Sequence, residues 1–322
     1  MSYVRWGILG AAEFAAEHMG PALHAASGGT LAALATSSDD KAARFRDIAP
    51  GLTVHLDYDA LLSDPEVDAI YIPLPNHLHV EWTKKALAAG KHVLCEKPMA
   101  MQAAEFDELI AQRDETGLVC AEAYMIVHHP QWQKARELVQ GGAIGQLVDV
   151  DVRFSFNNPD PGNIRNKPET GGGGLPDIGV YAFGCTRFVT GEEPEEITAA
   201  EVTWEDGVDT RARVLARFPS FAYAGMVSTR MAPAQQAIFH GTEGVLRLTA
   251  PFNATVFGDP AVILEKGGAE AQVWRFSRAR QYDLQVAAFN RSVLNGEAYP
   301  CPLEFSRGTQ AMIDMVYAKA GR

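Results

Sequence analysis

Trp6-Gly7-Ile8-Leu9-Gly10-Ala11-Ala12-Glu13-Phe14-Ala15 is the stretch that decides the fold. Val4 to Leu9 reads as a first strand, Gly10 as a tight turn and Ala12 to Ala26 as a helix. A helix that starts directly beyond a strand offers unpaired N–H groups and a partial positive charge to a phosphate. The pattern Gly10-x-Ala12-x-x-Ala15 is a degraded form of G-x-G-x-x-G. Alanine serves at the third position, where helix and strand pack closely, whereas at the second it narrows the approach of a pyrophosphate. By itself the stretch fits a nucleotide-binding turn or an ordinary strand–turn–helix.

Outward from this unit, strand and helix alternate. Leu31 to Ala35 reads as a strand, Asp39 to Ile48 as a helix with Asp39 as its N-cap, and Val67 to Ile72 as a strand. His79 to Ala89 is a helix stopped by Gly90, and His92-Val93-Leu94-Cys95 is a buried parallel strand. A helix over 103–116 and a strand over 118–121 complete the half. Short links between alternating elements mean a parallel, helix-covered sheet. The second half begins with a helix over 131–140 and a long strand over 146–156. After Gly171-Gly172-Gly173-Gly174 comes a helix from Asp177 to Val189. Period-2 segments over 197–205, 210–218, 222–229, 235–240 and 245–248 indicate a largely antiparallel sheet with one covered face. Helices over 282–294 and 304–320 end the chain. The expected architecture is α/β: a Rossmann-type doubly wound parallel sheet over residues 1–122, then an α+β domain over 123–322 with a large, mostly antiparallel open sheet. The last helix, about 304–320, is a candidate to pack back on the first domain.

The 322 residues suit two cores, and the net charge of −12 argues against nucleic acid or an anionic membrane as the main partner. No apolar run reaches the length of a membrane span, and Met1 to Trp6 leads straight into a strand without a signal-peptide pattern. Cys95, Cys120, Cys185 and Cys301 lie far apart, as expected of reduced thiols in a cytoplasmic protein.

Beyond the carboxyl end of the 92–95 strand stands Glu96-Lys97-Pro98, where open α/β sheets bind ligands. Pro98 holds Lys97 in extended backbone. Lys97 reads either as a solvated strand-end charge or as a ligand-facing cation. These residues, with Gly172-Gly173-Gly174-Leu175 leading to Asp177-x-x-x-Tyr181, and with Pro75-Asn76-His77, are similar to the glucose–fructose oxidoreductase / inositol dehydrogenase superfamily of NAD(P)-dependent oxidoreductases. The resemblance covers essentially the whole chain. It is nearest the subgroup that carries Tyr after the Asp and includes D-xylose dehydrogenase, anhydrofructose reductase and dimeric dihydrodiol dehydrogenase. Ala12 and Pro176 depart from the usual pattern.

The resemblance implies a hydride transfer with a sugar or cyclic polyol, foremost an aldose 1-dehydrogenase, with anhydrofructose reductase or trans-dihydrodiol dehydrogenase as alternatives. A non-catalytic NADP-binding sensor is the reading from another class. It implies Lys97, Tyr181 and Asp177 as the catalytic set, Tyr181 being the acid/base. A phenol near pKa 10 needs a neighbouring cation such as Lys97 to act at neutral pH. Asp177, at i, i+4 from Tyr181 on an expected helix, shares its face; the bland alternative makes Asp177 an N-cap and Tyr181 core. For the cofactor the resemblance implies Gly10, Ala11, Ala12, Phe14, Pro73, Leu74, Asn76, His77, Glu96 and Lys97. His129 and Arg165 join Asp177 and Tyr181 toward substrate, with a helix-start role and a surface role as their respective alternatives. His77-Leu78-His79 and His128-His129 lack a carboxylate or cysteine at ligand spacing, so no metal is expected. The second strand ends in Thr36-Ser37-Ser38-Asp39-Asp40-Lys41 with no acidic residue at the tip, and Arg44 follows. Thr36, Ser37 and Lys41 suit a 2′-phosphate, which favours NADP and keeps NAD open. The second sheet is expected to build a homodimer or homotetramer.

Overall fold

The computed structural model describes residues 2–267 and 271–322. The chain folds as two compact units, Met1–Met125 with Arg280–Arg307, and Ile126–Ala279 with Gly308–Arg322. In the first, β1 (Val4–Leu9), β2 (Gly29–Ala35), β3 (Thr53–His55), β4 (Ala69–Ile72), β5 (His92–Cys95) and β6 (Cys120–Glu122) form one sheet in the order β3-β2-β1-β4-β5-β6. Every pairing is parallel. This is the doubly wound order, whose direction reverses between β1 and β4. Helices α1 (Gly20–Ala25), α2 (Asp39–Ile48), α3 (Tyr58–Leu62), α4 (His79–Ala88) and α5 (Glu105–Thr116) connect the strands.

Residues of the strands divide between two separate cores, the alternation in β2 being shifted at the register irregularity opposite Trp6 and Gly7. Trp6, Ile8, Leu31, Leu34, Tyr71 and Leu94 pack with Met19, Leu23 and Phe45 on one face. Leu9, Ala33, Ile70, Ile72, Val93 and Cys95 pack with Leu61, Leu87, Phe106 and Leu109 on the other. Burial on both faces explains why these strands read as continuous apolar runs.

The second unit contains α6 (Pro130–Gln140), β7 (Leu147–Asn157), α7 (Val180–Thr190) and strands β8 (Glu196–Glu205), β9 (Val208–Arg217), β10 (Ala222–Ser228), β11 (Arg230–Gly241), β12 (Val245–Leu248), β13 (Ala261–Glu265) and β14 (Gln272–Arg275). Their order is β14-β13-β12-β11-β7-β10-β9-β8. All pairs are antiparallel except β7 with β10. Val150, Val152, Val214, Tyr223, Phe239 and Leu246 are buried, whereas Leu215 and Val148 are each 51% exposed. Period-2 alternation therefore survives in the fold as one buried and one open face.

Helix α8 (Gln281–Asn295) belongs to the first unit although it comes late in the chain. Phe289 lies 4.9 Å from the Trp6 ring, and the Trp6 indole donates to Asn290 Oδ1 at 3.0 Å. Asn290 in turn donates to the Ser27 carbonyl. Truncating a buried Phe of this kind costs about 3–5 kcal/mol. Helix α9 (Leu303–Lys319) starts in the first unit and belongs to the second from Gly308 onward. Among the described residues no helix is long and apolar enough to cross a membrane.

Candidate active site

In the first unit the site residues stand beyond the carboxyl ends of β1, β2, β4 and β5. Gly10 has φ +94°, and its N–H donates to the Ala35 carbonyl at 3.0 Å. A Cβ there would press on Leu74 at 3.1 Å and on the Tyr58 hydroxyl at 3.2 Å. The turn therefore needs glycine both for its backbone and for its space. It sits at the reversal of strand order, the place where such sheets take ligands. Ala11 and Ala12 are half-buried beside it, and the helix that follows opens with a π-type turn, Ala15–Met19, before α1. Phe14 packs 5.2 Å from His18 and 5.6 Å from Tyr282 of α8, one face of a small aromatic group.

At the end of β2, Thr36 is buried while Ser37 and Lys41 are exposed. Ser38, rather than Asp39, caps α2: its hydroxyl accepts the Lys41 N–H at 3.3 Å. Two good capping residues stand side by side there, and the chain enters helical backbone at Asp39, which leaves Ser38 as the cap. Asp39 pairs instead with Arg46 at 2.8 Å. The Arg44 guanidinium is directed at Glu13 and Glu17, at 3.9 and 3.6 Å.

Beyond β4, Pro73 and Asn76 are half-buried, Leu74 is buried and His77 is exposed. His79 is fully buried, its Nδ1 and Nε2 each 2.7 Å from a carbonyl oxygen, of Pro98 and Leu74 respectively. It thereby joins the loops after β4 and β5. Burial pushes His79 down to about 4. No group of three His, Cys, Asp or Glu able to hold a metal occurs among the described residues. Beyond β5 the Lys97–Pro98 peptide is cis and Lys97 is half-buried. Glu96 accepts from the Tyr71 hydroxyl at 2.7 Å. Burial pushes the Glu96 carboxyl up, against the pull of the Lys97 charge and the Tyr71 hydrogen bond. Glu122, at the end of β6, accepts the Met99 N–H at 2.8 Å and steadies the turn after Lys97. Tyr71, His79 and Glu122 support the Lys97 loop. Only the apolar run around Tyr71 and the unused His79 hinted at them in the sequence.

In the second unit a π-type turn, Leu175–Gly179, precedes α7. Asp177 lies inside this turn, so it is not an N-cap, and the regular α-helical i, i+4 projection onto Tyr181 is interrupted. Both are nearly buried, at 8% and 7% exposure. Arg165 Nε donates to Asp177 Oδ2 at 2.7 Å, so the two residues form one group rather than two separate contacts. The Tyr181 ring packs 5.9 Å from Phe154 and 5.8 Å from Phe252. The loop bearing Phe252 is fixed by Gln131 and Trp132, whose side chains donate to the Ala250 and Pro251 carbonyls. His129 takes the helix-start role: it is fully buried and its Nδ1 accepts the Gln131 N–H at 3.1 Å. Burial lowers it to about 4, so the ring is neutral at physiological pH. The ring has no exposed surface, and its Nε2 meets no hydrogen-bond partner among the described residues. Lys97 belongs to the first unit, and Asp177, Tyr181 and Arg165 to the second.

Residues 4–124 match the profile described as "Oxidoreductase family, NAD-binding Rossmann fold", and residues 132–247 match the GFO/IDH/MocA C-terminal domain. The chain belongs to this oxidoreductase family. It is 37% identical to an uncharacterized oxidoreductase of Rhizobium meliloti, over 100% of this chain and 98% of that one. It is 34% identical to D-xylose 1-dehydrogenase (NADP(+)) 2 of Haloferax volcanii, over 98% and 97%. Among solved structures, a 3-ketoreductase of Actinomadura kijaniata in complex with NADP and TDP-benzene superposes with a TM-score of 0.90 at 30% identity, covering 98% of each chain. Further structures of that ketoreductase carry a Lys→Ala and a Tyr→Phe substitution. Those two positions are separated in its chain by the same number of residues as Lys97 and Tyr181 here.

Proposed function

We propose that this protein is an NADP-dependent dehydrogenase of aldoses, moving hydride between the nicotinamide and a sugar C–OH. The observation that carries the reading is the Lys97–Tyr181 pair, at the separation of the lysine and tyrosine substituted in the ketoreductase. The first unit suits a dinucleotide: Gly10, at φ +94°, makes the tight turn at the reversal of strand order, and the end of β2 presents Thr36, Ser37 and Lys41 with Asp39 drawn off to Arg46. A carboxylate at that strand end would repel a 2′-phosphate; hydroxyls and an ammonium favour it. Ala11, Ala12, Phe14, Pro73, Leu74, Asn76, His77 and Glu96 complete the cofactor-binding set.

A nicotinamide bound there supplies the hydride acceptor. Tyr181 takes the hydroxyl proton as the C–H electron pair departs and the C=O forms. The Lys97 ammonium stabilises the phenolate and hydrogen-bonds the reacting oxygen. Asp177, oriented by Arg165, accepts from a neighbouring sugar hydroxyl. A second reading, reduction of a keto group on a nucleotide-linked sugar, is favoured by the TM-score of 0.90 to the 3-ketoreductase.

Initial rates decide between them. NADP with D-xylose and other aldoses is expected to turn over, with NADPH bound more tightly than NADH in fluorescence titration. Turnover only of NADPH with keto-sugar nucleotides would select the second reading. Tight NADPH binding without turnover of either class would leave a sensor, and equal or tighter NADH would overturn the NADP assignment.

A further inference from the structure

Asp209, on β9, is 1% exposed, and no cation pairs with it among the described residues. Its carboxylate meets backbone instead. Oδ2 accepts the Leu175 N–H at 2.7 Å, at the start of the π-turn that carries Asp177. Oδ1 accepts the Tyr317 hydroxyl of α9 at 2.8 Å. Gly173, at φ +136°, lies against this carboxylate so closely that a Cβ would collide with Oδ1; at Gly174 it would lie 3.2 Å from Oδ2. On its other side the same segment is tied to the Arg165 loop, because the Gly173 N–H donates to the Arg165 carbonyl at 2.9 Å. The Gly173 carbonyl accepts the Asp177 N–H at 3.2 Å.

We propose that Asp209 is a positioning residue, its carboxylate anchoring the glycine segment from which both Asp177 and Arg165 hang, with the Tyr317 hydroxyl fixing that carboxylate in place. The inference rests on the reading of Asp177 given above. A buried anion at the positive end of a helix is stabilised by N–H groups rather than by a cation. Burial pushes the Asp209 carboxyl up; the Leu175 and Gly174 N–H groups and the Tyr317 hydroxyl pull it down, and burial wins. The charged groups facing this pair are Asp314 of α9 and Arg322 beyond its end, both beside Tyr317. As pH falls, protonation takes one oxygen out of the network and the segment loosens. Removing the Tyr317 hydroxyl raises the Asp209 carboxyl further, so this loosening begins at higher pH.

The test compares wild type, Tyr317→Phe, Asp209→Asn and Asp177→Asn. Hydrogen–deuterium exchange across 171–181 is expected to quicken at least tenfold in Asp209→Asn and Tyr317→Phe, with β9 and β10 peptides unchanged. The kcat/KM of Tyr317→Phe relative to wild type, on the substrate found above, is expected to fall as pH is lowered. A pH-independent ratio with unchanged exchange overturns the positioning role, even if Asp177→Asn is inactive. Full turnover by Asp177→Asn overturns instead the reading of Asp177 on which the proposal rests. If Asp209→Asn does not fold, Tyr317→Phe carries both measurements.

Discussion

The two sheets of this protein hold chemistry in different ways. In the first, both faces are packed, so the only places left for a reactive side chain are the loops beyond the strand ends, where Gly10 and Lys97 stand. In the second, one face is covered and the other is open, and Asp177 and Tyr181, proposed above to react, ride on the π-turn and helix of the unit. A loop beyond a parallel strand is fixed by the sheet itself. A helix start on an open sheet is held by polar contacts instead: the exposed Arg165 donates to Asp177, and the buried Asp209 accepts the Leu175 N–H.

The largest effect expected from this contrast is at Lys97. Lys97→Met removes the charge and one cofactor contact while β5 and its neighbours keep their packing, so NADPH binding measured by fluorescence should weaken far less than turnover. General acid–base catalysis contributes roughly 10²–10⁴-fold, and kcat should fall by at least that factor. At ~1.4 kcal/mol per tenfold, the loss is about 3–5 kcal/mol of barrier. A variant that lost NADPH affinity instead would make Lys97 a binding residue of the first unit alone.

The same contrast explains what the sequence revealed. Continuous apolar runs, the Gly10 turn and the tip Glu96-Lys97-Pro98 are local, and local spacing suffices to place them. The short β3, with only Thr53–His55, carries too little pattern to notice. Helix α8 shows an amphipathic face, but nothing local says that Phe289 and Asn290 meet Trp6. Asp177 and Tyr181 were legible as a pair, and Arg165 as a candidate. The contact of Arg165 with Asp177 at 2.7 Å, and the hydrogen bonds of Asp209 to Leu175 and Tyr317, join segments that local spacing does not bring together. Ser38 and Asp39 were equally good caps on paper, and helix entry decided between them. The burial of His129 follows from α6 packing, which a single histidine before a proline does not disclose.

A smaller effect is expected on the open face of the second sheet. Leu215 and Val148 are each 51% exposed there, and β9 turns Arg213 and Arg217 outward beside Leu215. The face is expected to be covered by a second copy of the chain, with light scattering at micromolar concentration giving at least a dimer. Leu215→Glu should shift the mass toward monomer while the secondary structure is kept. A wild-type monomer at that concentration would mean that the open face serves water alone.

The central proposal is that Lys97 and Tyr181 act on one proton. A double-mutant cycle tests it most directly, with kcat measured for wild type, Tyr181→Phe, Lys97→Met and the pair under NADP saturation. Tyr181→Phe keeps the ring against Phe154 and Phe252 and deletes only the hydroxyl. The expected result is a fall of roughly 10²–10⁴-fold for Tyr181→Phe, with a double variant little worse than the weaker single one. Near-normal turnover by Tyr181→Phe, or losses that multiply in the double variant, would contradict it.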